Sequence, residues 1–226
     1  MVRGLSPLFV LSLGFSVFAA MPSAHAADPL DDVFARIDAA ARTFKGMTAD
    51  ISNTAYTAVV DNKDVTTGTM KLLLAKDGTH MLVDFKGGMV ISLDPHMGRD
   101  YNPKTKIVDE KDLTREQDLV NQYLLLGFGA TSAALKNTYN VTWVGTEQVG
   151  GQQTSHIALI PKAADIRKNM KQADLWIGDK GLVVQQKRLQ PSGDYQLVTY
   201  SNMVLVALPE KDLELKLPKD AIIQKH

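Results

Sequence analysis

Gly68-Thr69-Met70-Lys71-Leu72-Leu73-Leu74-Ala75-Lys76-Asp77-Gly78-Thr79-His80-Met81-Leu82-Val83-Asp84-Phe85 decides the fold. Along a strand, successive side chains point to opposite faces. Met70, Leu72 and Leu74 therefore share one face, and Thr69 and Lys71 the other. After the turn Lys76-Asp77-Gly78 the alternation resumes, with Met81, Val83 and Phe85 against His80, Leu82 and Asp84. This is the pattern of an antiparallel hairpin with one apolar face.

The same pattern extends outward in both directions. Strands are expected at 47–60, 65–74, 79–85 and 89–93, and, after Arg99-Asp100-Tyr101 leads into a turn, near 106–110. They are expected again at 139–148, 153–160, 172–178, 182–190 and 195–206, and in a closing strand at 212–217 before a polar tail. Turn residues punctuate them: Gly87-Gly88, Asn102-Pro103-Lys104-Thr105, Gly150-Gly151 and Pro191-Ser192-Gly193-Asp194. About eleven short strands joined by tight turns make an antiparallel sheet, and so many in one domain must curl or close. No internal repeat is evident, which argues against a propeller or solenoid.

Helices flank this meander. Asp28 is a good N-cap, Pro29 suits the first helical position, and Leu30, Val33, Phe34, Ile37, Ala41 and Phe44 form one apolar stripe before Gly46. Thr114-Arg115-Glu116-Gln117 has the capping-box pattern and opens an apolar helix reaching Leu126, with Gly127 to close it. Short helical pieces are expected at 131–137 and 163–171. The sequence thus predicts a mainly β chain with helices (α+β): one antiparallel sheet that curls or closes, with helices over its open mouth.

Residues 1–26 read as a cleavable export signal: Arg3, an apolar run from Pro7 to Ala20, then Ala24-His25-Ala26 as the small-x-small cleavage site. That leaves a single domain over 27–226. The chain has no cysteine, which excludes a lipid-modified cysteine, disulfides and thiolate metal sites. Lys plus Arg total 25 and Asp plus Glu total 25, so no basic footprint for nucleic acid is present. The expected product is a soluble, unanchored monomer outside the cytoplasm.

Catalytic signatures are missing. The chain has no G-x-S-x-G, Walker A or H-E-x-x-H pattern, and Gly127-Phe128-Gly129 is no dinucleotide loop. His80, His96 and His156 lack metal-ligand spacing. The polar cluster around Asp94, His96 and Asp100 reads either as a metal or acid–base centre or, with Pro95 and Gly98, as a solvated turn; the turn reading is favoured. Neither a catalytic residue, a metal nor a cofactor is expected. What recurs instead is methionine, at 47, 70, 81, 89, 97, 170 and 203, on apolar faces. Flexible, polarisable methionines suit a surface that receives variable apolar shapes.

Several motifs in order carry a resemblance. They are Phe44-Lys45-Gly46-Met47, Gly68-Thr69-Met70-Lys71-Leu72, Tyr101-Asn102-Pro103 and Tyr123-Leu124-Leu125-Leu126-Gly127-Phe128-Gly129. His156 to Lys162, Ala173-Asp174-Leu175-Trp176-Ile177, Gln190 to Tyr195 and Leu215-Lys216-Leu217-Pro218 follow. In this order the chain resembles the LolA family, periplasmic carriers of outer-membrane lipoproteins. The resemblance implies an incomplete, strongly curved antiparallel β-barrel of about eleven strands with a helical lid over an apolar cavity, acylated lipoprotein or lipid as cargo, an inner-membrane ABC lipoprotein-releasing complex as donor and an outer-membrane acceptor. It departs from the family at Leu74-Ala75-Lys76-Asp77-Gly78, where the family's Arg-Pro is missing, so the lid-latching role of that Arg is not carried over. The expected lipid-binding residues are Met70, Leu72, Leu74, Met81, Val83 and Phe85 on the sheet, Leu124, Leu125 and Phe128 on the lid, and Phe34 and Ile37 on the first helix. A carrier of another lipid, a lipid-reading envelope sensor on the same fold and an enzyme centred on Asp94, His96 and Asp100 are the competing readings.

Overall fold

A computed structural model describes residues 29–114, 126 and 128–226. The expected export signal and nearly all of the expected helix at 114–126 lie outside the described residues, as do Leu124 and Leu125. Twelve strands form one sheet: β1 (Gly46–Thr57), β2 (Asn62–Leu74), β3 (Thr79–Phe85), β4 (Val90–Leu93), β5 (Met97–Asn102), β6 (Ile107–Asp112), β7 (Tyr139–Val149), β8 (Gln152–Pro161), β9 (Gln172–Ile177), β10 (Val183–Leu189), β11 (Tyr195–Leu205) and β12 (Ile222–Lys225). Their spatial order is β12-β6-β5-β4-β3-β2-β1-β11-β10-β9-β8-β7, and the sheet is not closed. Two meanders, β1–β6 and β7–β11, are therefore joined along one long seam between β1 and β11, running from Met47 opposite Leu205 to Tyr56 opposite Tyr195. The hairpin at 68–85 forms as the alternation predicts, with Met70 opposite Val83 and Leu72 opposite Met81.

Helix α1 (Pro29–Thr43) lays Val33, Phe34 and Ile37 on the inner face of the second meander. Asp31 and Asp32 in its first turn and Arg42 in its last complement the helix dipole. Arg36 fixes the helix by donating to the Gly178 carbonyl at 3.0 Å and to Ser155 Oγ at 2.7 Å. Gly181, at φ +74°, lets the chain approach so closely that a Cβ there would stand 2.1 Å from the Arg36 carbonyl oxygen. Helix α2 (Ser132–Thr138) is capped by Thr131, whose hydroxyl accepts the Ala134 N–H at 3.2 Å. The Asp38 carboxylate accepts both the backbone N–H and the hydroxyl of Ser132, each at 2.7 Å, and so ties α2 to α1. These bonds hold the Asp38 carboxyl below its usual range. A short helix α3 (Ala164–Arg167) links β8 to β9.

The closing region corrects two expectations. Residues 212–217 are not a strand. They run as an extended strap across the outer face of β2–β5, with Leu213 buried and Leu215 and Leu217 half-buried against it. Lys71 Nζ, on that outer face, donates to the Asp212 carbonyl at 3.1 Å. The Leu-x-Leu-x-Leu alternation records an extended chain lying on an apolar surface, which needs no ladder. The residues expected as a polar tail instead form β12, which pairs with β6 in parallel, Ile222 opposite Ile107, so the sheet is not wholly antiparallel. Lys106 and Asp220 form an ion pair beside that pairing.

Candidate functional site

Where the two meanders meet, their inner faces leave a cavity of about 210 Å³. One wall is apolar: Ile51 of β1, Met70 and Leu72 of β2, Met81, Val83 and Phe85 of β3, and Ile91 of β4. Met70 and Leu72, and likewise Met81, Val83 and Phe85, share this face because they stand at every second position of their strands. Phe128 sits at one end. Its ring meets Tyr200 edge-on at 5.0 Å and lies 6.0 Å from Phe44. The Tyr200 hydroxyl is buried, and burial pushes its pKa far up, so it stays protonated.

The opposite wall is mixed. Val198 and Tyr200 of β11 are joined there by Gln196, by Gln186 and Arg188 of β10, and by Asn53 of β1. Arg188 donates through Nη2 to Gln196 Oε1. Gln186 is buried, and its side-chain oxygen has no hydrogen-bond partner among the described residues. A buried amide oxygen without a donor is costly, about 1–3 kcal/mol, and is the kind of group a ligand or water satisfies. The cavity can therefore hold an apolar chain along one side and a polar head along the other. Its described lining contains no nucleophile–base pair and no carboxylate.

Of the residues singled out from the sequence, Met70, Leu72, Met81, Val83, Phe85 and Phe128 line this cavity. Leu74 does not: it packs under Gly129, where a Cβ would stand 2.5 Å from its Cδ1. Phe34 and Ile37 do not either, being spent in the core beneath α1. The polar wall escapes a sequence reading because Gln186, Arg188 and Gln196 carry the polarity of solvent-facing positions. Ile51 and Val198 escape it because β1 and β11 meet only through long-range pairing. Their alternation is the one signal that marks both strands as facing the interior.

Asp94, His96 and Asp100 do not converge. Asp94 accepts the N–H groups of His96 and Met97 at 3.0 and 2.9 Å and receives Arg99 Nη1 at 2.9 Å, so it caps the β4–β5 turn. Arg99 also binds Glu110, at 2.8 Å. Asp100 lies on the other face of β5, opposite Asp109, and its carboxyl is pushed up by burial and by that neighbouring charge. His156 is a structural group on the outer face of β8. It stacks on Trp176 at 4.3 Å and bridges Glu147 and Asp174 at 2.7 and 3.1 Å.

No protein-family model matches the chain, and no curated protein sequence does. Solved structures do. An uncharacterised conserved protein from Thermus thermophilus superposes with a TM-score of 0.55 at 10% identity, over 88% of this chain and 100% of that one. MucB superposes with a TM-score of 0.50 at 14% identity, over 82% of this chain and 62% of MucB. The chain thus spans less than two thirds of MucB, which has also been solved in complex with MucA. A LolA superfamily protein from Nitrosomonas europaea matches with a TM-score of 0.40 at 11% identity, over 82% of this chain and 97% of that one. At these identities the likeness concerns fold alone: the chain shares its fold with MucB and the Thermus protein, and LolA superfamily proteins are among its structural neighbours.

Proposed function

We propose that this protein is an exported, periplasmic carrier that shields acyl chains from water. Its leading cargo is the acyl chains of lipoproteins, taken from an inner-membrane ABC complex and passed to an outer-membrane acceptor. The observation that carries this reading is the cavity between the meanders, with its unbroken apolar wall from Ile51 to Ile91. Burying a methylene group is worth about 0.8 kcal/mol, so a single long chain gains roughly 10 kcal/mol on leaving water. A carrier needs that much to hold cargo, and little more than a membrane offers if it is to release it. The chemistry is binding, with no covalent step.

At about 210 Å³ the cavity is smaller than the roughly 300–1,000 Å³ of ordinary ligand sites. Loading must therefore widen it. Met70 and Met81 are flexible enough to give way, and Phe128 stands at its end. Phe85 is half-buried in the wall, so a charge there is tolerated by the fold far better than one at the fully buried Leu72. Binding of the fluorescent fatty acid cis-parinaric acid should be lost in Phe85→Asp, while its urea midpoint stays near that of the parent protein. Undiminished binding would remove the cavity from consideration. Native mass spectrometry of protein taken from its own envelope identifies the cargo: a triacylated lipoprotein supports the carrier as stated, and a free lipid or glycolipid redirects it to that lipid.

The fold shared with MucB, which forms a complex with MucA, favours a second reading as a lipid-sensing binding module. A sensor would bind a protein partner in a manner that acyl lipid changes, and a carrier would surrender its lipid to an acceptor membrane.

A further inference from the structure

A second cleft, of about 480 Å³, lies on the outer face between the β2–β3 turn, the β4–β5 turn and the strap. Asp77, His80, Asp94, His96, Glu210 and Glu214 line it. Against these four carboxylates and two imidazoles stands one guanidinium, Arg99, and it is held by Asp94 and by Glu110. The cleft therefore carries surplus negative charge beside imidazole nitrogen. Within it, one ligand atom each from Asp77, His80 and Glu210 lies within 4.8 Å of the other two. His80 Nε2 is 3.1 and 3.2 Å from the two oxygens of Asp77. Donors about 2.0–2.1 Å from a tetrahedral zinc ion are separated by roughly 3.3 Å, so this pair needs almost no movement to share one.

We propose that Asp77, His80 and Glu210 form a binding site for a divalent transition metal, zinc in the first instance, which pins the strap to the β2–β3 turn. The donor set favours this class. One imidazole with carboxylates suits zinc and its neighbours, whereas magnesium and calcium take oxygen ligands alone. With three protein ligands, the fourth position is left to water. The site draws Asp77 and His80 from the β2–β3 hairpin and Glu210 from more than 100 residues further on, which is why no local spacing announces it. Metal binding here joins two segments that the sheet does not pair, so it acts on the anchoring of the strap. It is independent of what the cavity holds.

The test is titration of ZnCl₂ into untagged, chelator-treated protein by calorimetry, with MgCl₂ as the control. One equivalent of zinc should bind and magnesium should not. His80→Gln and Glu210→Gln should each weaken zinc binding by about 100-fold or more, at or beyond the upper end of what outer-shell changes cost. Glu210 is exposed, so its variant folds as the parent does. Zinc at a hundredfold excess over its Kd should raise the Tm by roughly 5–10 °C. Absence of zinc binding, or unchanged affinity in either variant, overturns the site.

Discussion

The inner surface of the sheet is built from the same kinds of residue throughout, yet it is solid where α1 covers β8–β10 and hollow where β2–β4 face β10 and β11 across the cavity. On the inner face of β8–β10, Ile157, Leu159, Leu175, Ile177 and Val183 are wholly buried, as is Val33 of α1 above them. On the inner face of β3 and β4, Met81, Phe85 and Ile91 remain only half-buried. Alternation is equally regular on both sides. The difference lies in what covers each face. α1 is clamped to the second meander by Arg36, Gly181 and the Asp38–Ser132 link, and its stripe fills the space. Beside the first meander, Phe128 is the residue from outside the strands that lines the cavity. A cavity is thus the place where an apolar face is written but no described helix is laid on it.

This contrast is broken most directly by paired truncations. Leu175→Ala removes a side chain from a close-packed core and should cost about 3–4 kcal/mol. Met81→Ala removes one from a wall already beside empty space, where neighbours lose fewer contacts, and should cost about 1 kcal/mol. Urea unfolding measures both. Equal losses would mean that the two faces are packed alike.

Gly181→Ala probes the cause of the contrast. The added methyl group meets the Arg36 carbonyl at 2.1 Å, and φ +74° is itself unfavourable for alanine. The helix must lift from the sheet, at a cost of about 2–3 kcal/mol. Hydrogen exchange should quicken in α1 and β8–β10 while the β2–β3 amides keep their protection. Uniform quickening would show that α1 supports both halves.

The strands are legible because half-buried antiparallel strands write their period into the chain. Alternation alone puts Met70, Leu72, Met81, Val83 and Phe85 on one face. Three things are not legible. Leu213, Leu215 and Leu217 alternate as a strand does, but backbone pairing is absent from that signal, so a strap carries the signature of a strand. The parallel contact of Ile222 with Ile107 depends on where the strap delivers the chain, which lies beyond any local pattern. The polar wall of the cavity inverts the usual rule: Gln186 and Arg188 face an interior cavity, whereas polarity alone assigns them to solvent.

The smallest effect tests the link between the helices. Asp38 is bonded by the Ser132 hydroxyl and then by the Ser132 N–H, and both lower its pKa from 3.8. A carboxyl whose folded pKa lies below its unfolded one stabilises the protein fully above the unfolded value. That contribution is lost as pH falls through the folded value. Asp38→Asn keeps the shape and removes the charge. It should cost about 1 kcal/mol at pH 6, since the group is only half-buried and solvent screens it. As pH drops below 3.8 the gap between parent and variant should narrow, because the unfolded parent takes up its proton first, and it closes once pH falls past the lower folded value. Urea midpoints at pH 6 and pH 3 measure this. A gap that persists unchanged at pH 3 would show that Asp38 holds α2 by shape alone, and that the charge has no part in fixing α1 over the solid half.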